Sequence, residues 1–287
     1  MAEAPKSASG PKFADLLPRI ASAAVLLTVA GLGLWLGGLV LALLLSIFGA
    51  VMVWEYFRLI IRLTRPFAMV CTVLSSALLA LSLLLEHALV TEADGFLAVS
   101  PMAATVMIGA MIITAIPVRK SRLETLFGAM IPLATFLFFY LHQSIPFAMW
   151  LVVAVVITTD VSGYFFGKLI GGPKFWPSLS PNKTWSGTVS GWIMAGLIAL
   201  AVSWQADDPL STIAIAVAFA VLVAFAAQMA DIAESALKRR AGVKDSSNLL
   251  PGHGGALDRF DGMLGAFTVA GLAFVLLGFA IGAPVAP

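Results

Sequence analysis

IASAAVLLTVAGLGLWLGGLVLALLLSIFGAVMVWEYFRLII, residues 20–61, decides the fold class. A helix that crosses a bilayer needs about 20 consecutive, mostly apolar residues. This run is long enough for two such helices, and Gly37-Gly38 offers the turn between them. Residues 1–18 before it are polar and read as a cytosolic tail. The apolar run after Arg19 is far too long for the core of a secretory leader, so it reads as a retained membrane segment.

The same pattern continues along the chain. Further apolar runs fall at 67–85, 96–118, 125–141, 145–170, 187–204, 211–237 and 262–282. Together they predict an all-α polytopic integral membrane protein with nine transmembrane helices. The composition agrees: 60% of the 287 residues are hydrophobic and 11% are charged, against about 45–50% and about 25% in soluble domains. The single cysteine, Cys71, lies in an apolar run and reads as a small hydrophobe. Three histidines and one cysteine make no zinc-type cluster. Basic residues are not interleaved with soluble structure, which argues against nucleic acid as a partner.

Charge placement sets the orientation. With the N-terminus inside, all 17 Lys and Arg fall in cytosolic segments, from Lys6 to Arg259. The opposite side holds Glu86, Glu92, Asp94, Asp207 and Asp208 and no base. The positive-inside rule therefore predicts nine spans, with the N-terminus in the cytosol and the C-terminus outside. Residues 19–143, the first five spans, read as a scaffold, and residues 144–287 hold the polar residues at membrane depth.

Acids within a membrane are costly and mark functional positions. Asp160 lies in TTDVSGYFFGK, with Tyr164 and Lys168 on the same helix face; pairing with Lys168 by snorkelling is the plain alternative. Asp231 and Glu234 are three apart in QMADIAESALKRR, and Asp258 and Asp261 three apart in LLPGHGGALDRFDG (249–262). If the intervening loop folds back, Asp231 faces Asp258 and Asp261 just beneath the inner surface. Converging carboxylates of that kind need a cation, and an all-oxygen set suits Mg²⁺. The bases Lys238, Arg239, Lys244 and Arg259 would then meet phosphate, and the PGHGG turn with His253, Gly254 and Gly255 can offer backbone N–H groups to an anion. A second loop, GGPKFWPSLSPNKTWSG, sets Lys174 and Lys183 among Ser180, Asn182 and Thr184, either as phosphate contacts or as a charge that fixes topology.

Three stretches in this order resemble phosphatidate cytidylyltransferases (CDP-diacylglycerol synthases). They are DVSGYFFGK (160–168), SPNKTW (180–185), and the series Ser235–Arg239, Lys244-Asp245, His253–Gly255 and Asp258–Asp261. The resemblance implies CTP and phosphatidate as substrates, CDP-diacylglycerol and pyrophosphate as products, and Mg²⁺ with room for a monovalent cation. It also implies a homodimer in the bacterial inner membrane with its site towards the cytosol. On that basis Asp231, Asp258 and Asp261 are expected metal ligands, with Lys238 and Lys244 also in the catalytic set. Substrate contacts are expected from Asp160, Ser180, Asn182, Lys183, Thr184, Glu234, Arg239, His253, Gly254, Gly255 and Arg259. The sequence departs from the family pattern at Val161, Ser162, Ser186, Ala230 and Ala256. Two rival readings are a CTP-using enzyme with another lipid acceptor and a cation-coupled transporter. The latter predicts midplane acids and repeated halves, and neither is visible. An inactive paralogue kept as a structural partner is the third.

Overall fold

Lipid offers no hydrogen bonds, so a chain this apolar must satisfy its backbone internally, and helices do so within one segment. The computed structural model describes residues 16–60, 65–90, 99–115, 121–250 and 254–280. Among them are nine helices and one hairpin. The helices are α1 (Leu16–Leu36), α2 (Gly38–Ile60), α3 (Arg65–Leu89), α4 (Pro101–Ala115), α5 (Arg122–Ser144), α6 (Pro146–Leu169), α7 (Trp185–Gln205), α8 (Leu210–Ala241) and α9 (Leu257–Ala280). The hairpin joins β1 (Lys174–Trp176) to β2 (Ser180–Thr184). Seven of the helices are long and apolar enough to cross a membrane, while the described apolar parts of α1 and α4 are shorter, at Ala24–Leu36 and Pro101–Ala115. Residues 1–15 of the polar tail and the outer ends of the run expected at 96–118 lie outside the described residues, while residues 16–18 already belong to α1.

The fold centres on α5. In this helix 61% of the apolar window is buried, against 28–39% in the other six long helices. It touches α2, α3, α4, α6, α8 and α9. Gly128 on α5 leaves room for Tyr56 of α2, since a Cβ there would lie 2.5 Å from the phenol Cζ. The Tyr56 hydroxyl then donates to the Glu124 carbonyl at 2.8 Å. Arg240 at the end of α8 donates to Ser121 Oγ at 2.9 Å. These contacts gather the C-terminal ends of α2 and α8 and the N-terminal end of α5 at one end of the bundle. At the other end Gly37 and Gly38 adopt left-handed φ of 60° and 44°. They are the turn expected between the first two helices, and they pack against the rings of His142 and His87.

Three departures from the sequence expectation bear on the site. α8 runs on to Ala241, because Lys238, Arg239 and Arg240 suit the negative end of a helix. Gly242 closes it with φ 74°, donating to the Arg239 carbonyl, while Val243 N donates to that of Lys238. α9 begins at Leu257 rather than Gly262, so Asp258 and Asp261 are both helical. The loop at 171–187 contains an antiparallel hairpin that pairs Lys174 with Thr184 and Trp176 with Ser180.

Helices α6 and α7 meet through glycines, as expected where lipid supplies no hydrophobic drive and close approach must do the work. Gly163 and Gly167 face Gly187, where an added Cβ would lie 3.2 Å from the Gly167 Cα. This approach seats the hairpin over the end of α6. Gly187→Val should therefore force α7 off α6 and destabilise the protein by about 1–3 kcal/mol, the usual cost of overpacking. The check is the thermal midpoint in detergent, and an unchanged midpoint would contradict the close packing.

Candidate functional site

Helix periodicity places Asp231 and Glu234 on one face of α8, near its basic end. The start of α9 lies against that face. Gly265 makes this approach possible, because a Cβ there would lie 2.7 Å from that of Ala230. The room that a glycine at position 230 would provide is thus supplied from the opposite helix. Asp231, Glu234 and Asp261 each present a carboxylate oxygen, and the three oxygens lie within 4.8 Å of one another.

Two lysines enter this acid group. Lys183 on β2 forms an ion pair with Asp231, so the hairpin is tied to α8. Lys238, one turn beyond Glu234, pairs with it and also with Asp258, whose Oδ1 is 2.7 Å away. Glu234 is 0% exposed, and its Oε1 has no hydrogen-bond partner among the described residues. Removing Lys238 would leave two carboxylates without their cation, a loss that costs about 3–5 kcal/mol at buried pairs. Even with both lysines, three converging carboxylates and one orphaned oxygen make an all-oxygen donor set that a hard divalent cation fits.

From sequence, Asp258 is expected beside Asp231 and Asp261; the structure brings Glu234 into that trio instead. Asp258 Oδ2 accepts three hydrogen bonds, from Ser246 N, Ser246 Oγ and Gly255 N, each at 2.8 Å. Gly254, at φ 84°, has no room for a side chain, since a Cβ would come within 2.7 Å of that same oxygen. Asp258 therefore organises the turn before α9 while holding Lys238. Gly254 and Gly255 contribute backbone to this turn, and His253 lies outside the described residues.

Beside the acid group a cavity of about 730 Å³ opens between α6, α7, the hairpin and α8. Asp160, Lys168, Lys174, Asn182, Lys183 and Thr184 line it. No Asp160–Lys168 ion pair occurs among the described residues; Lys168 lies over the Tyr164 ring at 5.8 Å. Thr184 caps α7 by accepting from Gly187 N at 3.2 Å. Ser186 donates to the Gly171 carbonyl at 2.5 Å and so ties the hairpin base to the end of α6. Ser180 is half-buried opposite Trp176. Arg239, Lys244 and Arg259 are exposed around α8 and the start of α9, and they do not line the cavity.

Sequence reasoning missed Thr159, Thr188 and Gln228, which also line the cavity. Gln228 donates from Nε2 to the Thr188 carbonyl at 3.2 Å. Its spacing of three from Asp231 was the available signal. Glu55 of α2 was missed as well, because an acid near the end of an apolar helix looks solvated in sequence. It is fully buried, and Ala256 N and Leu257 N donate to it at 3.0 and 2.7 Å.

A family model for cytidylyltransferases matches residues 17–277. The phosphatidate cytidylyltransferase of Brucella abortus biovar 1 (strain 9-941) is 43% identical over 121 residues, covering 39% of this chain and 41% of that protein. That of Bacillus subtilis (strain 168) is 44% identical over 122 residues, 42% of this chain and 44% of that protein. That of Staphylococcus aureus (strain COL) is 38% identical over 130 residues, 45% of this chain and 50% of that protein. The chain thus spans about half the length of these curated relatives, or somewhat less. The family model, by contrast, runs from the first helix to the last, and on that match the chain belongs to the cytidylyltransferase family.

Proposed function

We propose that this protein transfers a cytidylyl group from CTP to phosphatidate, giving CDP-diacylglycerol and pyrophosphate. The observation that carries the reading is the position of Lys183, which lines the cavity and also pairs with Asp231 of the acid group. A nucleotide-sized, lysine-lined space therefore adjoins a cation-fitting cluster. At about 730 Å³ the cavity lies within the range of small-molecule sites. The three relatives named above carry this activity in their names.

Two anions must meet for this reaction. A phosphate oxygen of phosphatidate attacks the α-phosphorus of CTP; that P–O bond forms as the bond to the β-phosphate oxygen breaks, and pyrophosphate leaves. Phosphatidate is already ionised near neutral pH, so the reaction depends on charge compensation and alignment rather than on a general base. Lys183, Lys174 and Lys168 offset phosphate charge in the cavity. Asp231, Glu234 and Asp261 would hold a divalent cation, Mg²⁺, with Asp258 aligning Lys238 beside them. When bound, that ion polarises phosphoryl oxygens and favours departure of pyrophosphate. Arg239, Lys244 and Arg259, outside the cavity, suit the approach of lipid phosphate or of CTP.

The membrane arrangement belongs to the same reading. Nine spans, an inside N-terminus and an outside C-terminus put every Lys and Arg on the cytosolic side, where CTP and the inner-leaflet headgroups both are. The protein acts as a homodimer in a bacterial inner membrane. Residues 1–18 form its cytosolic tail, residues 19–143 its scaffold and residues 144–287 its catalytic region.

The deciding experiment is a product assay on purified protein in mixed micelles with labelled CTP, phosphatidate and Mg²⁺, beside an EDTA control. Magnesium-dependent CDP-diacylglycerol is the expected result; no product across several acyl chains and divalent ions would overturn the reading. In the same assay Lys183→Ala should lower kcat/KM for CTP at least tenfold, and unchanged kinetics would return that lysine to a topological role. Mn²⁺ titration by electron paramagnetic resonance tests the acid group directly. Glu234→Gln and Asp261→Asn should each weaken binding about 10–100-fold, and Asp258→Asn less. A larger loss from Asp258→Asn than from Glu234→Gln would place Asp258 among the ligands.

A further inference from the structure

Glu55 belongs to the scaffold half, yet its carboxylate serves the other half of the protein. Its Oε1 accepts from Ser247 Oγ at 2.5 Å and Ala256 N at 3.0 Å. Its Oε2 accepts from Leu257 N at 2.7 Å and Ser246 Oγ at 3.2 Å. All four donors lie between the end of α8 and the start of α9, some 191–202 residues away in sequence. Four donors match the lone-pair capacity of one carboxylate. Two of them are backbone N–H groups at the α9 N-terminus, where helix geometry leaves donors unpaired and favours negative charge. Gly255 lies against this carboxylate so closely that a Cβ would come within 2.7 Å of the Glu55 Cδ.

Contact continues from Glu55 to the acid group. Ser246 Oγ stands between Glu55 Oε2 and Asp258 Oδ2, and a hydroxyl has one proton for these two acceptors. Asp258 Oδ1 in turn takes Lys238 at 2.7 Å, and Lys238 pairs with Glu234. The series Glu55, Ser246, Asp258, Lys238, Glu234 therefore links α2 to the three-acid group without a gap. Glu55 is 0% exposed, and it is neither in the cavity lining nor in the three-acid group. The four donors above account for both oxygens, and none of the four lies in α2.

We propose that Glu55 is a positioning residue: it fixes Ser246, Ser247 and the start of α9, and through them sets Asp258 and Lys238 against the acid group. The kinetic consequence rests on the cytidylyl-transfer reading, whereas the structural consequence does not. Glu55→Gln keeps the shape but replaces one acceptor oxygen with a donor that faces other donors.

Hydrogen–deuterium exchange on the full-length protein in detergent, wild type beside Glu55→Gln, reads the structural part. Amide exchange at Ser246, Ser247, Ala256 and Leu257 should rise at least tenfold, with α5, α6 and α7 unchanged. In the product assay kcat should fall at least tenfold, while KM for CTP shifts less than threefold. Exchange unchanged at those four amides would overturn the proposal, as would a uniform rise in every helix or a raised KM at constant kcat. Should Glu55→Gln not fold, Ser247→Ala removes one donor from the other side and carries the test. It should raise exchange at Ala256 and Leu257 severalfold, and no rise there would overturn the proposal equally. If the exchange results hold but wild-type protein makes no CDP-diacylglycerol, the positioning role stands and the reaction assignment falls.

Discussion

Lys238 carries the interaction on which this end of the protein depends. It is mostly buried, it pairs with Glu234 on its own helix, and it reaches Asp258 on the next. In a low-dielectric setting neither carboxylate can stay ionised without a partner, and a shared cation draws α8 and α9 together at the depth where the acids lie. Much of the surrounding local structure serves that arrangement. Gly265 lets α9 approach α8, Asp258 ties down the turn that precedes it, and Gly242 ends α8 just beyond its basic last turn.

Lys183 performs a similar task for the hairpin. A short two-stranded ribbon is marginal alone, and this one is held at the C-terminal end of β2. Thr184 caps α7 and Ser186 reaches back to the end of α6, while Lys183 crosses to Asp231. The glycines between α6 and α7 set the backbone distance that makes these contacts possible. The cavity and the acid group thus share a wall. A phosphate bound in one would lie next to a cation held in the other, which is the juxtaposition that transfer between two anions requires.

The first five helices do more than pack. α5 is its buried hub, and through Tyr56 and Glu55 the second helix fastens the N-terminal end of α5 and the start of α9. Such links join α2 to α5 and to the start of α9 at the end that carries the charge. The opposite end is held by a different device, the left-handed Gly37-Gly38 turn against His87 and His142.

The sequence by itself determined that this is an all-helical membrane protein, and which stretches carry its polar chemistry. Hydrophobic runs are local and long, so their helices are legible without knowing any neighbour. Asp231, Glu234, Asp258, Asp261, Lys183 and Lys238 stand out against apolar surroundings for the same reason. Only the tertiary structure decided how those residues divide. The i,i+3 spacing of Asp258 and Asp261 suggests one shared role, yet rotation and depth of α9 against α8 send Asp261 to the acid trio and Asp258 to the turn and Lys238. Gln228 and Thr159 gained meaning only from the cavity they line. Glu55 was invisible as a site residue because its donors lie about two hundred positions away in sequence. Helix periodicity reports what faces a neighbour, whereas the identity of that neighbour is set by packing across the bundle.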